Sequence, residues 1–340
     1  MEIPKALIER LKKNEEIAQK FNEIEISILS ILDFHDFFER LLCEISDKFS
    51  IPYIWISIIQ ESKIAKQLQD SPEIERLRAS TAFVPRQDFL SIVQNNLTPI
   101  LANKDIDIYQ ALVPEISDYN IGSIAIAPIT LDGEIVGSIN QADKNGMRFE
   151  PGIDTSLLEQ LALKVSLCLS NVTAHEQLKF LAFHDPLTGL LNRGVMERVL
   201  GREFLRARRY KTDLTLLFLD LDEFKIINDT AGHDNGDRAL CLAADTLTQL
   251  KRDSDIVARF AGDEFVVILP STRESQAEHY INRVKSYLDS HPLIVGKDRF
   301  PIKMSHGISS ASETDIADAK FLLKAADKRL YKAKNNKKNK

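Results

Sequence analysis

The apolar positions in the first half of the chain follow two periods, one typical of helices and one typical of strands. Residues 6–32 carry apolar side chains at intervals of three and four among many charges, which predicts a long amphipathic helix whose spacing permits a partner helix. Similar spacing predicts a second helix over residues 36–49. The β-branched and aromatic run at 53–59 predicts a buried strand.

Two more strands and a long helix follow. Residues 123–131 and 134–141 are strand-like and are joined at Asp132-Gly133, a dipeptide typical of hairpin turns. A helix is predicted from 156 to 182, and its apolar stripe consists of Leu158, Leu161, Val165, Cys168 and Val172. This stripe fits either a coiled-coil seam of about two heptads or the buried face of a core helix, and the sequence leaves both open.

The second half contains an unbroken apolar run at 214–219, which predicts a central strand covered on both faces. The strand ends in Asp220-Leu221-Asp222, and the polar, turn-rich stretch from Asn228 to Asp237 predicts a loop. Farther on, two apolar runs flank the stretch 259–264 and predict a hairpin with a charged tip. Adjacent acids at such a tip can hold a divalent cation on a phosphate, although a solvated acidic turn is the alternative.

These patterns divide the 340 residues into about two domains, as expected for this length. We expect an amino-terminal amphipathic helix at 1–34, a first domain at 35–172, a linker helix at 156–182 that overlaps the end of the first domain, and a second domain at 180–340.

Composition and charge narrow the class of protein. Hydrophobic residues make up 44% and charged residues 28%, the balance of a globular protein, and the net charge of −6 argues against a general nucleic-acid binder. Cys43, Cys168 and Cys241 are far apart, so neither a disulfide framework nor a zinc site is indicated. Without a signal core or a long apolar span, a cytoplasmic protein with no membrane span is expected.

Five short motifs occur in order in the second half. They are DPLTGLLNR at 185–193, FLDLDEFKIIND at 218–229, GHDNGD at 232–237, AGDEF at 261–265 and ADKRLYKAK at 326–334. Together they resemble the GGDEF family, the diguanylate cyclases that condense two GTP into cyclic di-GMP and two pyrophosphates. The resemblance covers about residues 180–340. It implies a mixed sheet with flanking helices, related to the ferredoxin-like core of nucleotidyl cyclases, and therefore a chain of the α+β or α/β class.

The resemblance also implies a metal centre. Asp220 and Asp263 would ligate Mg²⁺ or Mn²⁺ together with the carbonyl of Leu221, a donor set that suits a hard cation. Asp263 would also assist removal of the 3′-hydroxyl proton. Glu264 would bind the metal or support it.

The expected substrate is GTP. By resemblance, Asn228 and Asp237 would recognise guanine, because a carboxylate accepts from guanine N1 and N2 and adenine offers no such donor pair. His233 lies in the same predicted loop, where a structural role is favoured. The phosphates would be bound by Lys225, Lys334 and Lys338. For Arg259, a phosphate contact and a salt bridge remain equal alternatives.

Regulation is implied as well. Arg252 and Asp255 match the family's inhibitory Arg-x-x-Asp site for the product cyclic di-GMP, and Arg283 matches a further arginine, with a surface charge cluster as the alternative. Since each domain binds one GTP, catalysis needs a homodimer. The first domain contains Gly137-Ser138-Ile139-Asn140 and Arg148-Phe149-Glu150-Pro151-Gly152. Through these short motifs and its organisation it resembles GAF-type, DUF484-like sensors, and its small-molecule or protein signal is not indicated by any motif.

Two positions depart from the family pattern. Ala261 stands where the family has glycine, and its methyl would cost roughly 1 kcal/mol if that position were left-handed. Lys337-Lys338 replace the usual Gly-Arg. The leading hypothesis is a sensor-regulated diguanylate cyclase. The alternatives are an inactive GGDEF effector that binds GTP or cyclic di-GMP, and a dimerising scaffold.

Overall fold

The structure is a computed structural model that describes residues 5–70, 77–115 and 117–338. The chain divides into two compact units, Met1–Leu178 and Lys179–Lys340. None of the helices that the structure describes is long and apolar enough to cross a lipid bilayer.

The first unit is a five-stranded sheet with helices on both faces. Its elements are α1 (Lys5–Ile28), α2 (Phe34–Phe49), β1 (Tyr53–Ile59), α3 (Lys63–Asp70), β2 (Thr81–Val84), α4 (Arg86–Val93), β3 (Ile100–Ala102), β4 (Ser123–Leu131), β5 (Glu134–Asp143) and α5 (Ser156–Phe183), with two 3-10 helices at Arg78–Ser80 and Ile106–Leu112. The strand order is β2-β1-β5-β4-β3, and only the pairing of β1 with β2 is parallel. The predicted strand at 53–59 and the hairpin at 123–143 are confirmed.

The apolar stripe of α5 lies in the core of the first unit. Leu161, Val165, Cys168 and Val172 are buried there against α1, α2 and the sheet, and Leu158 is partly buried. Of the two interpretations left open by the sequence, the buried face of a core helix describes these residues. The GAF-like character of this unit stays a prediction.

The second unit is built on a four-stranded antiparallel sheet. Its elements are α6 (Arg193–Tyr210), β6 (Leu214–Leu221), α7 (Phe224–Ala231), α8 (His233–Leu250), β7 (Ile256–Ala261), β8 (Glu264–Pro270), α9 (Glu274–Ser290), β9 (Leu293–Val295), β10 (Asp298–Phe300), β11 (Met304–Ser310) and α10 (Ala319–Lys338). The strand order is β11-β6-β8-β7, with β9 and β10 forming a separate hairpin. With a helical crossover after β6 and another after β8, this is the ferredoxin-like arrangement expected from the sequence.

Strand β6 is buried along its whole length because helices cover both of its faces. Leu217 and Leu219 face the core formed with α8 and α9, whereas Leu216 and Phe218 face the core formed with α6 and α10. This alternation follows from the two-residue period of a strand, and it confirms the predicted central strand. Both cores meet at the strand that ends in Asp220 and Leu221.

The loop predicted from Asn228 to Asp237 is wrong, because the segment is helical apart from one junction. Gly232 separates α7 from α8 with a φ of +86°, a conformation that favours glycine. Its N–H donates to the carbonyl of Asn228, which closes α7. The turn-forming residues thus occupy a helix end and a helix start, and His233 is the first residue of α8.

Helix α10 packs closely on β11 at Gly307. A Cβ atom at this position would lie 2.0 Å from the carbonyl oxygen of Ala326 and 2.4 Å from the backbone nitrogen of Leu330. Both are backbone atoms of α10 that cannot rotate away. Any side chain here therefore moves the helix off the sheet.

We expect Gly307→Ala to destabilise the second unit by about 3 kcal/mol through this overpacking. Gly201→Ala in α6 is the matched control, because no described atom beyond its chain neighbours and the nearby backbone of its own helix lies within 4 Å of its Cβ position. It should be neutral or stabilise by about 0.5–1 kcal/mol. Urea unfolding followed by circular dichroism measures both. Equal stability of the two variants would contradict the packing described here.

Candidate active site

Three acidic side chains converge where β6 and β8 meet. Asp220 lies near the end of β6, directly opposite Glu264, the first residue of β8. Asp263 precedes Glu264 in the hairpin tip, and its backbone carbonyl accepts from the N–H of Leu221 at 3.2 Å. The sheet register, rather than loop geometry, therefore brings the predicted metal and catalytic residues together.

Asp220 is the most buried of these acids, with 5% of its surface exposed. Its Oδ1 atom finds no hydrogen-bond donor of proper geometry among the residues that the structure describes, and it forms an ion pair with Nζ of Lys334 on α10. Burial raises the pKa of Asp220 above its ordinary value; Lys334 opposes this effect and Asp263 adds to it. A single lysine thus compensates a crowded group of carboxylates.

Glu264 shares this environment. Burial raises its pKa above the ordinary value, and the charges of Asp220 and Asp263 raise it further. Mutual repulsion of this kind is relieved when a cation is bound between carboxylates.

The donor set fits a hard divalent cation. Within residues 5–70, 77–115 and 117–338, no group of three or more His, Cys, Asp or Glu side chains is arranged to hold a metal ion by itself. Asp220 and Asp263 offer two carboxylates, and Leu221, which follows Asp220 and donates its N–H to the Asp263 carbonyl, offers a backbone oxygen. Such a set suits Mg²⁺, which keeps several waters and shares its coordination with substrate phosphates.

The conformation of the hairpin tip removes the concern about Ala261. The positive φ of the tip falls on Gly262, at +50°, and Gly262 is the glycine that the sequence retains. Ala261 is the last residue of β7 and pairs with Glu264. Its methyl group therefore meets no left-handed backbone.

Arg259 makes a salt bridge in this structure, and its contact with phosphate stays a prediction. Its Nη1 donates to both carboxylate oxygens of Asp185, at 2.9 and 3.1 Å, and its Nε donates to the carbonyl of Gly262 at 2.9 Å. Asp185 also accepts from the N–H and Oγ1 of Thr188. The hairpin tip is thereby tied to the loop at 185–188.

The predicted guanine-binding residues lie side by side on α7 and α8. Gly236 has no Cβ, and one placed there would lie 1.8 Å from Oδ1 of Asn228, so the Asn228 side chain packs directly against the residue before Asp237. Asp237 is exposed and lines a cavity of about 560 Å³.

Two residues that sequence reasoning missed line the same cavity. Leu187 and Cys241 are in contact there, with Cys241 Sγ 3.4 Å from the Leu187 carbonyl oxygen. The signals were present, because Leu187 is part of the first motif and Cys241 follows Asp237 by one helical turn.

The remaining residues predicted to bind the substrate lie on α7, α8 and α10. Lys225 near the start of α7 and His233 at the start of α8 are both exposed. Lys338 ends α10, and its side chain lies outside the described part of the structure.

The three predicted inhibitory residues line one cavity of about 640 Å³. Asp255 is buried and accepts from the N–H of Arg252 at 3.0 Å, and Nη2 of Arg283 donates to the carbonyl of Leu250 at 3.1 Å. Two guanidinium groups and a carboxylate therefore share one concave surface. Their role in product binding stays a prediction.

Comparison with known proteins identifies the class of the second unit. Residues 182–340 match the sequence model of the family described as diguanylate cyclase, GGDEF domain. This part of the chain is a GGDEF domain.

Individual relatives agree with that family. The chain is 38% identical over 153 residues to the diguanylate cyclase DgcP of Pseudomonas aeruginosa, covering 45% of this chain and 22% of the relative. It is 35% identical over 170 residues to a diguanylate cyclase of Vibrio cholerae, covering 49% of this chain and 51% of the relative. The chain thus spans about half or less of these curated relatives.

A solved structure, the active GGEEF domain of a diguanylate cyclase from Vibrio cholerae, is 32% identical. The match covers 43% of this chain and 92% of that one, with a TM-score of 0.41.

We expect Arg259→Met to destabilise the second unit by about 2 kcal/mol, because the partly buried carboxylate of Asp185 loses its cation. Arg273→Met is the control: Arg273 pairs with Asp213, but its side chain is 77% exposed, so its loss should cost less than about 1 kcal/mol. Chemical unfolding of each variant measures the difference.

The pH dependence of this loss is also predicted. Burial alone would raise the pKa of Asp185, but the Thr188 hydrogen bonds and Arg259 outweigh it and hold the pKa below its ordinary value of 3.8. The stabilisation is therefore present above this pH and is lost as pH falls through the folded-state pKa. The gap between wild type and Arg259→Met should narrow there; a constant gap would contradict the assignment.

Proposed function

We propose that the chain is a Mg²⁺- or Mn²⁺-dependent diguanylate cyclase that condenses two GTP into cyclic di-GMP and two pyrophosphates. The observation that carries this proposal is the meeting of Asp220, Asp263, Glu264 and Lys334 at one end of the sheet. The helices that bear Asn228 and Asp237 follow this strand end directly. The family match and the curated relatives support the same activity.

The reaction requires charge compensation and an activated hydroxyl. The 3′-hydroxyl of one GTP attacks the α-phosphate of another, and pyrophosphate leaves. The metal would neutralise phosphate charge, as in phosphoryl transfer generally. Asp220, Asp263 and the Leu221 carbonyl would hold it. Asp263 would accept the hydroxyl proton, and Glu264 would support the metal.

The other residues bind the substrate. Lys334, Lys225 and Lys338 would neutralise the triphosphate, and Asn228 and Asp237 would recognise the guanine edge. The apolar contribution of Leu187 and Cys241 to the Asp237 cavity suits a flat base. His233 would shape the start of α8 rather than transfer protons.

Purified protein incubated with GTP and Mg²⁺ should yield cyclic di-GMP on chromatography. Asp263→Asn should lower the rate about 10²–10⁴-fold, the usual contribution of a general base, whereas Asp298→Asn on the exposed β9–β10 hairpin should not. Absence of product from the wild type, together with cyclic di-GMP binding at the Arg252 cavity, would instead establish the effector function.

A second copy of the chain is needed because each GGDEF domain would hold one GTP. Helix α5 offers a surface for it. Opposite its buried face it exposes an apolar stripe, with Leu163, Leu167 and Leu178 exposed at 61%, 59% and 67%. We propose that this stripe, rather than the face containing Leu161 and Val165, packs against the partner helix in a homodimer.

Leu167→Glu should therefore produce a monomer in sedimentation velocity and lower the cyclase rate about tenfold or more at equal protein concentration. Leu205→Glu is the control, since Leu205 is an equally exposed leucine on α6. A Leu167→Glu protein that remains dimeric would exclude this surface.

Cyclic di-GMP should inhibit noncompetitively by binding the cavity lined by Arg252, Asp255 and Arg283. Guanidinium groups bind phosphate and the Hoogsteen edge of guanine in a bidentate manner. Arg252→Ala should raise the inhibitory concentration about tenfold or more with little change in kcat. Arg299→Ala, on the exposed hairpin, should behave as wild type, and retained inhibition in Arg252→Ala would refute the site.

A further inference from the structure

The last turn of α10 is attached to the end of β6 through Lys337. Its Nζ lies 2.7 Å from Oδ2 of Asp222 and 3.0 Å from Oγ of Ser305. Ser305 Oγ in turn donates to the other carboxylate oxygen of Asp222 at 2.5 Å. The carboxylate of Asp222 therefore connects α10 to β11.

Asp222 is well suited to this role. Its side chain is only 16% exposed, and its backbone N–H donates to the carbonyl of Lys303 at 2.8 Å. Ser305, on β11, is buried. Because Asp222 is fixed from the backbone and from β11, it can hold Lys337 rather than be moved by it.

The contact lies one helical turn from Lys334, the lysine proposed to bind phosphate. Lys334 pairs with Asp220, and Lys337 pairs with Asp222. Residues three apart share a helix face, and residues two apart share a strand face. The two ion pairs therefore fix the position of α10 along the end of β6.

Lys334 depends on this alignment of α10 with β6 because it lies close to the carboxyl end of α10. Terminal helical turns fray unless side chains or tertiary contacts tie them down. Lys337 stands where the resemblance to the GGDEF family implies a glycine, which would have no side chain to make the contact. The contact of Lys337 with Asp222 and Ser305, called the clamp below, therefore depends on this chain's own sequence.

We propose that Lys337 is a positioning residue that holds the last turn of α10 on Asp222 and Ser305, and so keeps Lys334 where a nucleotide triphosphate is bound. The nucleotide part of this inference rests on the function proposed above. The clamp itself rests only on the contacts of Lys337.

The first test measures binding of 3′-deoxy-GTP, which lacks the attacking hydroxyl, with Mg²⁺ by calorimetry. Lys337→Met should raise Kd about tenfold, as expected for losing a hydrogen-bonded ion pair. Lys332→Met, an exposed lysine on the same helix, should stay within about twofold of wild type. Lys337→Arg should restore binding, since arginine can reach the same carboxylate.

The second test asks whether Lys337 acts through Lys334. If it does, adding Lys337→Met to Lys334→Met should change Kd less than about twofold, because the two effects are not additive. In turnover, Lys337→Met should raise KM more than it lowers kcat. An undiminished tenfold effect in the double variant would overturn the positioning role.

The third test is independent of nucleotide. Amide hydrogens of residues 331–337 should exchange about tenfold faster in Lys337→Met than in Lys332→Met or wild type. Unchanged exchange would overturn the clamp. Failure of the wild type to bind 3′-deoxy-GTP, with faster exchange in Lys337→Met, would refute the proposed function and leave the clamp standing.

Discussion

The ion pair between Asp220 and Lys334 is the interaction on which the second unit depends. A buried carboxylate is costly unless a cation compensates it, and here that carboxylate ends a strand covered on both faces. The compensating lysine comes from α10, which can approach only because Gly307 has no side chain. The close packing at Gly307 and the ion pair between Asp220 and Lys334 therefore require the same position of α10.

A second set of contacts links the hairpin tip to the cavity that Asp237 lines. Arg259 joins the carbonyl of Gly262 to the carboxylate of Asp185, and the loop that follows Asp185 contributes Leu187 to the Asp237 cavity. The tip that carries Asp263 and the cavity beside α8 are thus connected through one arginine. This is a physical route by which the loop that follows α5 could affect both parts of the site.

The sequence predicted most of the sheet because buried strands have strong periodic signals. The run at 214–219 and the hairpin around Gly262 were confirmed, and the order of the motifs matched the family. Local turn formers misled at 228–237, where a single glycine separates two helices. Side-chain contacts such as Arg259 to Asp185 join residues far apart in the sequence, and spacing alone could not decide them.

Binding of Mn²⁺ without nucleotide tests the central claim that Lys334 neutralises a cation site formed by Asp220 and Asp263. Wild type, Lys334→Met and Asp220→Asn can be compared by electron paramagnetic resonance of free Mn²⁺. We expect tighter Mn²⁺ binding in Lys334→Met, because the competing ammonium is gone, and Mn²⁺ binding weaker by about tenfold or more in Asp220→Asn. Unchanged or weaker binding in Lys334→Met would contradict this claim.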